Sequence, residues 1–266
     1  MSLPRTLLPE RAGVSVPRPN RPENDEGSFL AGRRPVLELL RAGRPAEKIL
    51  VASELDPSSL IGDIRKLANA AAVPIRTVPK VEIDKIVGGM NHQGVVAVTG
   101  RYRYVPLQRL LELESPQLLF VDKVTDPHNL GSLLRSADGA GFSGVVIPSH
   151  RSAAVTSTVR RVSAGAAEVV PVARVTNLGG AIDQAKAAGI WILGLDEKAV
   201  EDIWTSELAE PPVGLVLGAE DKGISKGIRE RCDQLVKIPT SGRLGSLNVA
   251  VAGAVAMFEV ARRVVR

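Results

Sequence analysis

Residues 238–254 read IPTSGRLGSLNVAVAGA, the stretch that decides the fold of the second half of the chain. An apolar run ends at Pro239, a loop with two glycines follows, and Ser-Leu-Asn leads into a series of small residues. This pattern predicts a strand, a loop and then a helix from Ser246 to Val265, with Ser246 as the N-cap. A helix that begins in this way presents free backbone N–H groups and a positive dipole end. We therefore expect a binding site here.

The composition is that of an ordinary globular protein of 266 residues, with 44% hydrophobic and 24% charged residues. No apolar run approaches the roughly 20 residues needed to cross a bilayer, and no apolar secretion signal stands at the N-terminus. Cys232 is the one cysteine and the three histidines are scattered, so neither a disulfide nor a metal site is expected. The sequence thus predicts a cytoplasmic protein without membrane or metal partners.

The net charge of +5 suits an anionic partner such as RNA, although many basic proteins bind no nucleic acid. Aromatic residues make up only 3% of the chain. This low share argues against a domain that stacks bases on aromatic rings.

Composition divides the chain into four segments. Residues 1–27 are rich in proline and arginine without an apolar period, which predicts a disordered leader, either a solvated tail or an RNA contact. Residues 28–100 alternate short helices and strands and predict a small α/β domain. Residues 101–115 predict a linker, in which the stretch RYRY either contacts RNA or forms a structured connector. Residues 116–266 predict the larger domain.

Short runs that are apolar on both faces alternate with helices in this last segment, which indicates a mostly parallel α/β sheet. Strands are expected at residues 117–121, 145–147, 169–172, 190–195, 213–217 and 235–238, and helices at 130–139, 156–162, 178–188, 226–231 and 246–265.

Two further stretches place polar residues just after a predicted strand, where open α/β sheets bind ligands. In residues 120–135, FVDKVTDPHNLGSLLR, the candidates are Asp126, Asn129 and Arg135. Asn129 could instead be an N-cap, and Arg135 an exposed helical residue. In residues 215–224, LVLGAEDKGI, Gly218 would let a ligand approach the backbone. Glu220 either orients a polar group of a ligand or only places a negative charge in the first turn of the next helix. Dinucleotide, P-loop and hydrolase-elbow motifs are absent from the sequence.

Together the three stretches resemble the three motifs of the SpoU/TrmH family, which are AdoMet-dependent RNA ribose 2′-O-methyltransferases of the SPOUT superfamily. The matching patterns are DxxxDPxNxGxxxRSA at 122–137, LGAExxG at 217–223, IP at 238–239 and SLNVAVA at 246–252. The stretches HQG at 92–94 and ARVTNL at 173–178 resemble the RlmB-like branch, which methylates a guanosine ribose in 23S ribosomal RNA.

The resemblance implies a fold in which the C-terminal segment threads through a loop to form a deep trefoil knot. S-adenosyl-L-methionine (AdoMet) would bind in this knot, held by the backbone around Leu217, Gly218, Ile238 and Leu247. The family is homodimeric, with the active site completed across the interface, and the first domain would recognise the RNA substrate.

The resemblance also implies roles for five polar residues. Arg135 corresponds to the family's catalytic arginine, proposed to take or relay the proton of the 2′-hydroxyl. Because arginine is normally protonated, we expect it to position the substrate and stabilise charge. Asn129, Glu220, Ser246 and Asn248 would hold the arginine, the ribose and the methionine end of the cofactor.

Three alternatives remain open at the level of sequence. The same chemistry could act on tRNA or on the thiopeptide-antibiotic resistance site of 23S ribosomal RNA. The chain could also be a catalytically silent RNA-binding factor in ribosome assembly, against which the intact polar residues argue. Asp221 and Gly245 depart from the family pattern and bear on loop shape.

Overall fold

The computed structural model describes residues 28–56, 58–242 and 246–264, which form two α/β units. The predicted leader, residues 1–27, lies outside the described residues. The fold class expected from the sequence is confirmed, since a small α/β unit precedes a larger one with a parallel sheet.

The N-terminal unit is a four-stranded sheet with the order β1-β4-β2-β3. Strands β2 and β3 are parallel, and β4 runs antiparallel to both of its neighbours. Its elements are β1 (Phe29–Ala31), α1 (Arg33–Arg41), β2 (Lys48–Ala52), α2 (Ser59–Ala70), β3 (Ile75–Val78), α3 (Lys80–Val87) and β4 (Val95–Val98).

The C-terminal unit is built on a sheet of parallel strands with the order β7-β6-β5-β10-β8-β11-β9. Its elements are α4 (Gln108–Leu111), β5 (Gln117–Val121), α5 (Pro127–Gly139), β6 (Gly144–Pro148), α6 (Ser157–Val162), α7 (Ala166–Val169), β7 (Val172–Val175), α8 (Leu178–Ala187), β8 (Trp191–Leu195), β9 (Glu201–Asp202), β10 (Val213–Leu217), α9 (Lys226–Arg229), β11 (Gln234–Lys237) and α10 (Val249–Val264).

The central strands are buried on both faces because helices cover the sheet on both sides. Leu119 and Val121 of β5 point to the face covered by α5 and α10. Their neighbours Leu118 and Phe120 point to the opposite face, which α8 covers. This arrangement explains why β5 and β10 read as continuous apolar runs rather than as alternating ones.

Several element boundaries differ from the prediction, and the differences at β7 and α10 have a clear physical reason. The strand expected at residues 169–172 begins only at Val172, because the preceding residues Ala166–Val169 form helix α7. The apolar run across this boundary has no periodicity that would separate the end of a helix from the start of a strand. The helix expected from Ser246 begins at Val249, and its N-cap is Asn248 rather than Ser246.

The RYRY stretch is a structured connector, with its tyrosines packed inward. The hydroxyl of Tyr102 donates to the carbonyl oxygen of Ala167 at 2.8 Å, and that of Tyr104 accepts from the backbone N–H of Val155 at 2.9 Å. The two rings meet edge to face, and burial raises the pKa of Tyr102. The tyrosines are therefore structural.

The two units meet around a buried ion pair. Nε of Arg160 lies 2.6 Å from Oε1 of Glu168, and both side chains are almost fully buried. The Nη1 group of Arg160 also donates to Oγ1 of Thr99 at 2.7 Å, and Nε of Arg44 donates to the carbonyl oxygen of Glu168 at 3.1 Å. Because Thr99 and Arg44 belong to the first unit, this network joins it to helices α6 and α7. Among the described helices, none is both long and apolar enough to span a membrane.

Candidate active site

Three chain segments converge at the carboxyl edge of the large sheet. The first leads from β5 into α5, the second is the turn after β10, and the third leads from β11 into α10. Strands β5 and β10 are direct neighbours, so the first two segments leave the sheet side by side. A crevice at the carboxyl ends of parallel strands is the usual ligand site in open α/β sheets.

One polar side chain from each segment enters a shared hydrogen-bonded cluster. Nδ2 of Asn248 donates to Oε1 of Glu220 at 3.0 Å and lies 3.2 Å from Oδ1 of Asn129. Nδ2 of Asn129 donates to the same carboxylate oxygen of Glu220. The fold thus joins residues that are 91 and 119 positions apart in sequence.

Helix capping explains how the two asparagines are held. Asp126 caps α5, since its Oδ1 accepts from the backbone N–H of His128 at 2.9 Å. Asn129 is therefore not the N-cap, and its side chain is free to enter the cluster. Asn248 caps α10 through Oδ1, which accepts from the N–H of Ala250 at 2.9 Å and leaves Nδ2 for the cluster.

The turn that carries Glu220 is fixed by close backbone contacts. A Cβ atom added to Gly218 would lie 2.0 Å from the carbonyl carbon of Gly223. Ala219 and Gly223 exchange backbone hydrogen bonds of 3.1 and 2.8 Å across the turn. Gly218 is thus required by the packing of the turn itself, which is a different reason from the ligand approach that the sequence suggested. Asp122 also stabilises this turn, because its Oδ2 accepts a hydrogen bond from the backbone N–H of Ser225 at 2.8 Å.

A cavity of about 270 Å³ opens beside the cluster. It is lined by all four residues expected to hold a cofactor, and by two of the expected catalytic residues. These are Leu217, Gly218, Ile238 and Leu247, together with Glu220 and Ser246. These six residues therefore meet at one place, although they come from two separate segments, the turn after β10 and the segment that leads from β11 into α10.

The cavity also holds charged residues that the sequence analysis did not single out. Asp196 and Arg229 form an ion pair there, and Lys237 lines the same wall. Nε of Arg229 is buried without a hydrogen-bond partner in the described part of the chain. The position of Asp196 directly after strand β8 was the available signal. A cavity that combines apolar side chains with charges of both signs suits a ligand with an apolar ring system and a zwitterionic end.

Arg135 is not part of the hydrogen-bonded cluster. Its side chain is exposed on α5, one helical turn before Gly139. At Gly139 the helix lies close to α10, since a Cβ atom added there would lie 3.4 Å from the ring of Phe258. The interpretation of Arg135 as an exposed helical residue therefore describes the single chain correctly.

Neither a metal centre nor a reactive thiol is found in the described residues. No group of three or more His, Cys, Asp or Glu side chains there could hold a metal ion. Burial raises the pKa of the Cys232 thiol to about 12, which keeps it protonated near neutral pH.

The fold and this site define an RNA methyltransferase, and the chain belongs to the SpoU rRNA Methylase family, whose profile matches residues 116–258. Residues 29–105 match the RNA 2′-O ribose methyltransferase substrate-binding family. YacO of Bacillus subtilis, a relative assigned to the TrmH family of tRNA/rRNA methyltransferases, is 38% identical over 245 residues, covering 90% of this chain and 97% of the relative.

Solved structures show the same architecture. The SpoU methyltransferase AviRb from Streptomyces viridochromogenes, in complex with AdoMet, superposes with a TM-score of 0.75 at 28% identity, covering 89% of this chain and 90% of that one. The AdoMet-bound rRNA methyltransferase from Sinorhizobium meliloti superposes with a TM-score of 0.77 at 26% identity, covering 91% and 89%.

Proposed function

We propose that this protein transfers the methyl group of AdoMet to the ribose 2′-hydroxyl of a guanosine in 23S ribosomal RNA. The observation that carries the proposal is the cluster of Asn129, Glu220 and Asn248, of which Glu220 also lines the cavity. A cavity for a small molecule beside fixed polar groups is what methyl transfer to a hydroxyl requires, because the two reactants must be aligned.

The cavity fits AdoMet through residues of this chain. Leu217, Ile238 and Leu247 offer apolar surface and backbone groups for the adenosyl part. Arg229 and Lys237 would pair with the methionine carboxylate, and Asp196 would face its ammonium group. AdoMet supplies an electrophilic methyl group, while the chain supplies alignment and charge.

The cluster would act on the ribose. Oε1 of Glu220 already accepts hydrogen bonds from both asparagines, which fixes the carboxylate in one orientation. Its second oxygen can then accept from a ribose hydroxyl, and Ser246 lines the cavity beside it. Arg135 would pair with an RNA phosphate and stabilise the charge that develops on the 2′-oxygen.

The proposal includes a homodimer, since α10 exposes an apolar face. Phe258 is 52% exposed, Val251 50% and Leu247 41%, all on or next to α10. Exposed apolar patches of this kind mark interaction surfaces. A second copy bound to this face would lie beside Arg135 of the first copy. Arg135 of one copy would then complete the site of the other copy across the interface.

The knot expected from the resemblance is part of the same proposal, supported by the packing of α10 against both α5 and β10.

Ribosomal RNA is favoured over tRNA by the extent of the structural match. The AdoMet-bound rRNA methyltransferase covers 91% of this chain, including the N-terminal unit. The TrmH/SpoU tRNA-modifying enzyme of A. aeolicus covers only 59% of it, with a TM-score of 0.51. The additional unit would therefore serve recognition of a larger RNA.

Transfer of tritiated methyl groups to separate transcripts of 23S rRNA, 16S rRNA and tRNA tests the substrate. We expect incorporation into 23S rRNA alone, followed by a single stop in primer extension at a guanosine. Incorporation into tRNA but not into 23S rRNA would contradict the proposed substrate. No incorporation into any RNA would favour the catalytically silent assembly factor.

A further inference from the structure

A second cavity of about 240 Å³ lies at the junction of the two units. The first unit contributes the segment after α1 and the residue that follows β4, and the second unit contributes α6 and α7. The connector between the units supplies the rest of the wall. The charged residues of the lining are Arg44, Glu47, Arg101, Arg103, Arg160 and Glu168. Because arginine outnumbers glutamate here by four to two, the cavity favours an anionic occupant.

The charges of this cavity are only partly balanced within the described residues. Glu168 is already paired with Arg160, whose Nε lies 2.6 Å from Oε1. The exposed side chains of Glu47 and Arg103 form no hydrogen bond or salt bridge in the described part of the chain. In the same part, Arg44 donates only from Nε, to the carbonyl oxygen of Glu168 at 3.1 Å. Arg103 and the two Nη groups of Arg44 are therefore available to a carboxylate.

The start of the first strand is anchored beside this cavity. The carbonyl oxygen of Ser28 accepts a hydrogen bond of 2.9 Å from the backbone N–H of Thr99, which lines the cavity. The carbonyl oxygen of Phe29 accepts one of 2.8 Å from Oγ of Ser157 in α6. The leader, residues 1–27, therefore joins the described structure at the edge of the cavity.

The part of the leader nearest to this anchor is acidic. Residues 23–26 read ENDE and are separated from Ser28 by one glycine. They carry three carboxylates, and the cations of the leader, of which Arg21 is the nearest, lie farther along the chain. Because consecutive Cα atoms are about 3.8 Å apart, the Cα atom of Glu26 lies within about 7.6 Å of that of Ser28. The carboxylates are thus within reach of the cavity.

We propose that residues 23–26 bind in the cavity at the junction, where their carboxylates pair with Arg44 and Arg103. RNA phosphates carry the same sign of charge, but the leader is covalently held at the edge of the cavity. A short tether gives an effective concentration in about the millimolar range, so a few partly solvated ion pairs suffice for binding. This inference goes beyond the proposed function and does not depend on the identity of the RNA.

The test is limited digestion of the full-length protein with a glutamate-specific endoproteinase, because the leader contains its own control site. The protease can cleave after Glu23 and Glu26 in the acidic run and after Glu10 outside it. Mass spectrometry gives the rate at each site, and a synthetic peptide of residues 1–30 corrects for the intrinsic preference of the protease. When binding and release are fast relative to cleavage, the corrected rate follows the unbound fraction of the segment.

In the wild type we expect the corrected rate after Glu26 to be about tenfold lower than that after Glu10. Arg103→Glu should remove most of this protection, as should about 1 M KCl, because both weaken the ion pairs. Arg103→Lys should keep most of it. The matched control is Arg109→Glu, which changes the charge equally at an exposed arginine of α4 outside the cavity and should leave the protection unchanged.

Equal corrected rates after Glu26 and Glu10 in the wild type would overturn the proposal. The same loss of protection in Arg103→Glu and Arg109→Glu would also overturn it, because net charge and not the cavity would then hold the leader. If the wild type shows no protection and Arg103→Glu weakens binding of a 23S rRNA transcript, the cavity binds RNA instead. AdoMet binding by calorimetry checks that each variant is folded.

Discussion

Asn248 performs two tasks with one short side chain. Its Oδ1 caps α10, and its Nδ2 joins Asn129 and Glu220 in the cluster. A residue that only capped the helix could equally be Ser or Asp. The need for an amide donor on the same side chain explains why asparagine stands at this position.

The two tasks can be separated by two substitutions. Asn248→Ser keeps an N-cap but cannot donate to Glu220, and Asn248→Ala loses both functions. We expect both variants to lose about 100-fold in the single-turnover rate, as is typical when a positioning group is removed. Only Asn248→Ala should also lose about 1 kcal/mol of unfolding free energy in urea. Equal rates for Asn248→Ser and wild type would show that the cluster has no part in catalysis.

Gly218 lies where no side chain fits. Because an added Cβ would meet backbone atoms that cannot rotate away, Gly218→Ala must displace the turn before Gly223. We expect a loss of about 1–3 kcal/mol in stability and at least tenfold weaker AdoMet binding by calorimetry. The matched control is Gly227→Ala in α9, where the nearest atom is 3.7 Å away. Wild-type AdoMet affinity in Gly218→Ala would contradict the placement of the cofactor beside this turn.

Helices α6 and α7 connect the N-terminal unit to the helix that carries Asn129. Both pack against α5, and Gly131 allows close contact because an added Cβ would lie 2.7 Å from Cβ of Val162. The buried pair of Arg160 and Glu168 sits on these helices and reaches the first unit through Thr99. The first unit is thus joined to α5 by packed elements.

Breaking this ion pair should cost far more than breaking an exposed one. Glu168→Gln leaves the buried guanidinium of Arg160 without its counter-charge, for which we expect a loss of about 3–5 kcal/mol. Glu38→Gln removes the exposed pair with Arg41, and a change below about 1 kcal/mol is expected. Urea unfolding measures both. Similar losses in the two variants would show that the Arg160–Glu168 pair does not hold the units together.

The sequence predicted most elements but not all of their ends. Strands β5 and β10 were predicted with their observed bounds, because they are apolar on both faces and bounded by turn residues. Strand β1 was missed, since three residues are too few to show a period. The boundary between α7 and β7 and the start of α10 were wrong. In each case tertiary packing or the choice between two capping residues decided the boundary, which a local pattern does not contain.

At the scale of the whole molecule, the site is assembled from distant segments. The three sequence motifs predicted Asn129, Glu220 and Asn248 as site residues. The order of strands in the sheet brings these residues into contact, and a motif does not contain that order. Asp196 and Arg229 could not be found from motifs, because their position in the cavity depends on β8 and β11 being neighbours. The place of Arg135 depends on a second copy and remains a proposal.

Mixing two inactive variants tests the shared site. If Arg135 of one copy serves the cluster of the other, a dimer of Arg135→Ala and Asn248→Ala protomers has one intact site and one doubly defective site. Co-refolding the two variants in equal amounts should restore about one quarter of wild-type activity. A mixture as inactive as its components would place Arg135 and Asn248 in the same site of a single copy. Phe258→Glu should dissociate the dimer in sedimentation and abolish this recovery.

We expect this protein to methylate a ribose and not a base. The most direct measurement is mass spectrometry of nucleosides from a 23S rRNA transcript digested after incubation with the protein and AdoMet. We predict one new nucleoside, 2′-O-methylguanosine, at about one per transcript, and we expect it to form about 100-fold more slowly when Asn248→Ala replaces the wild type. A methyl group on a base, on a different ribose, or on no nucleoside at all would contradict the account.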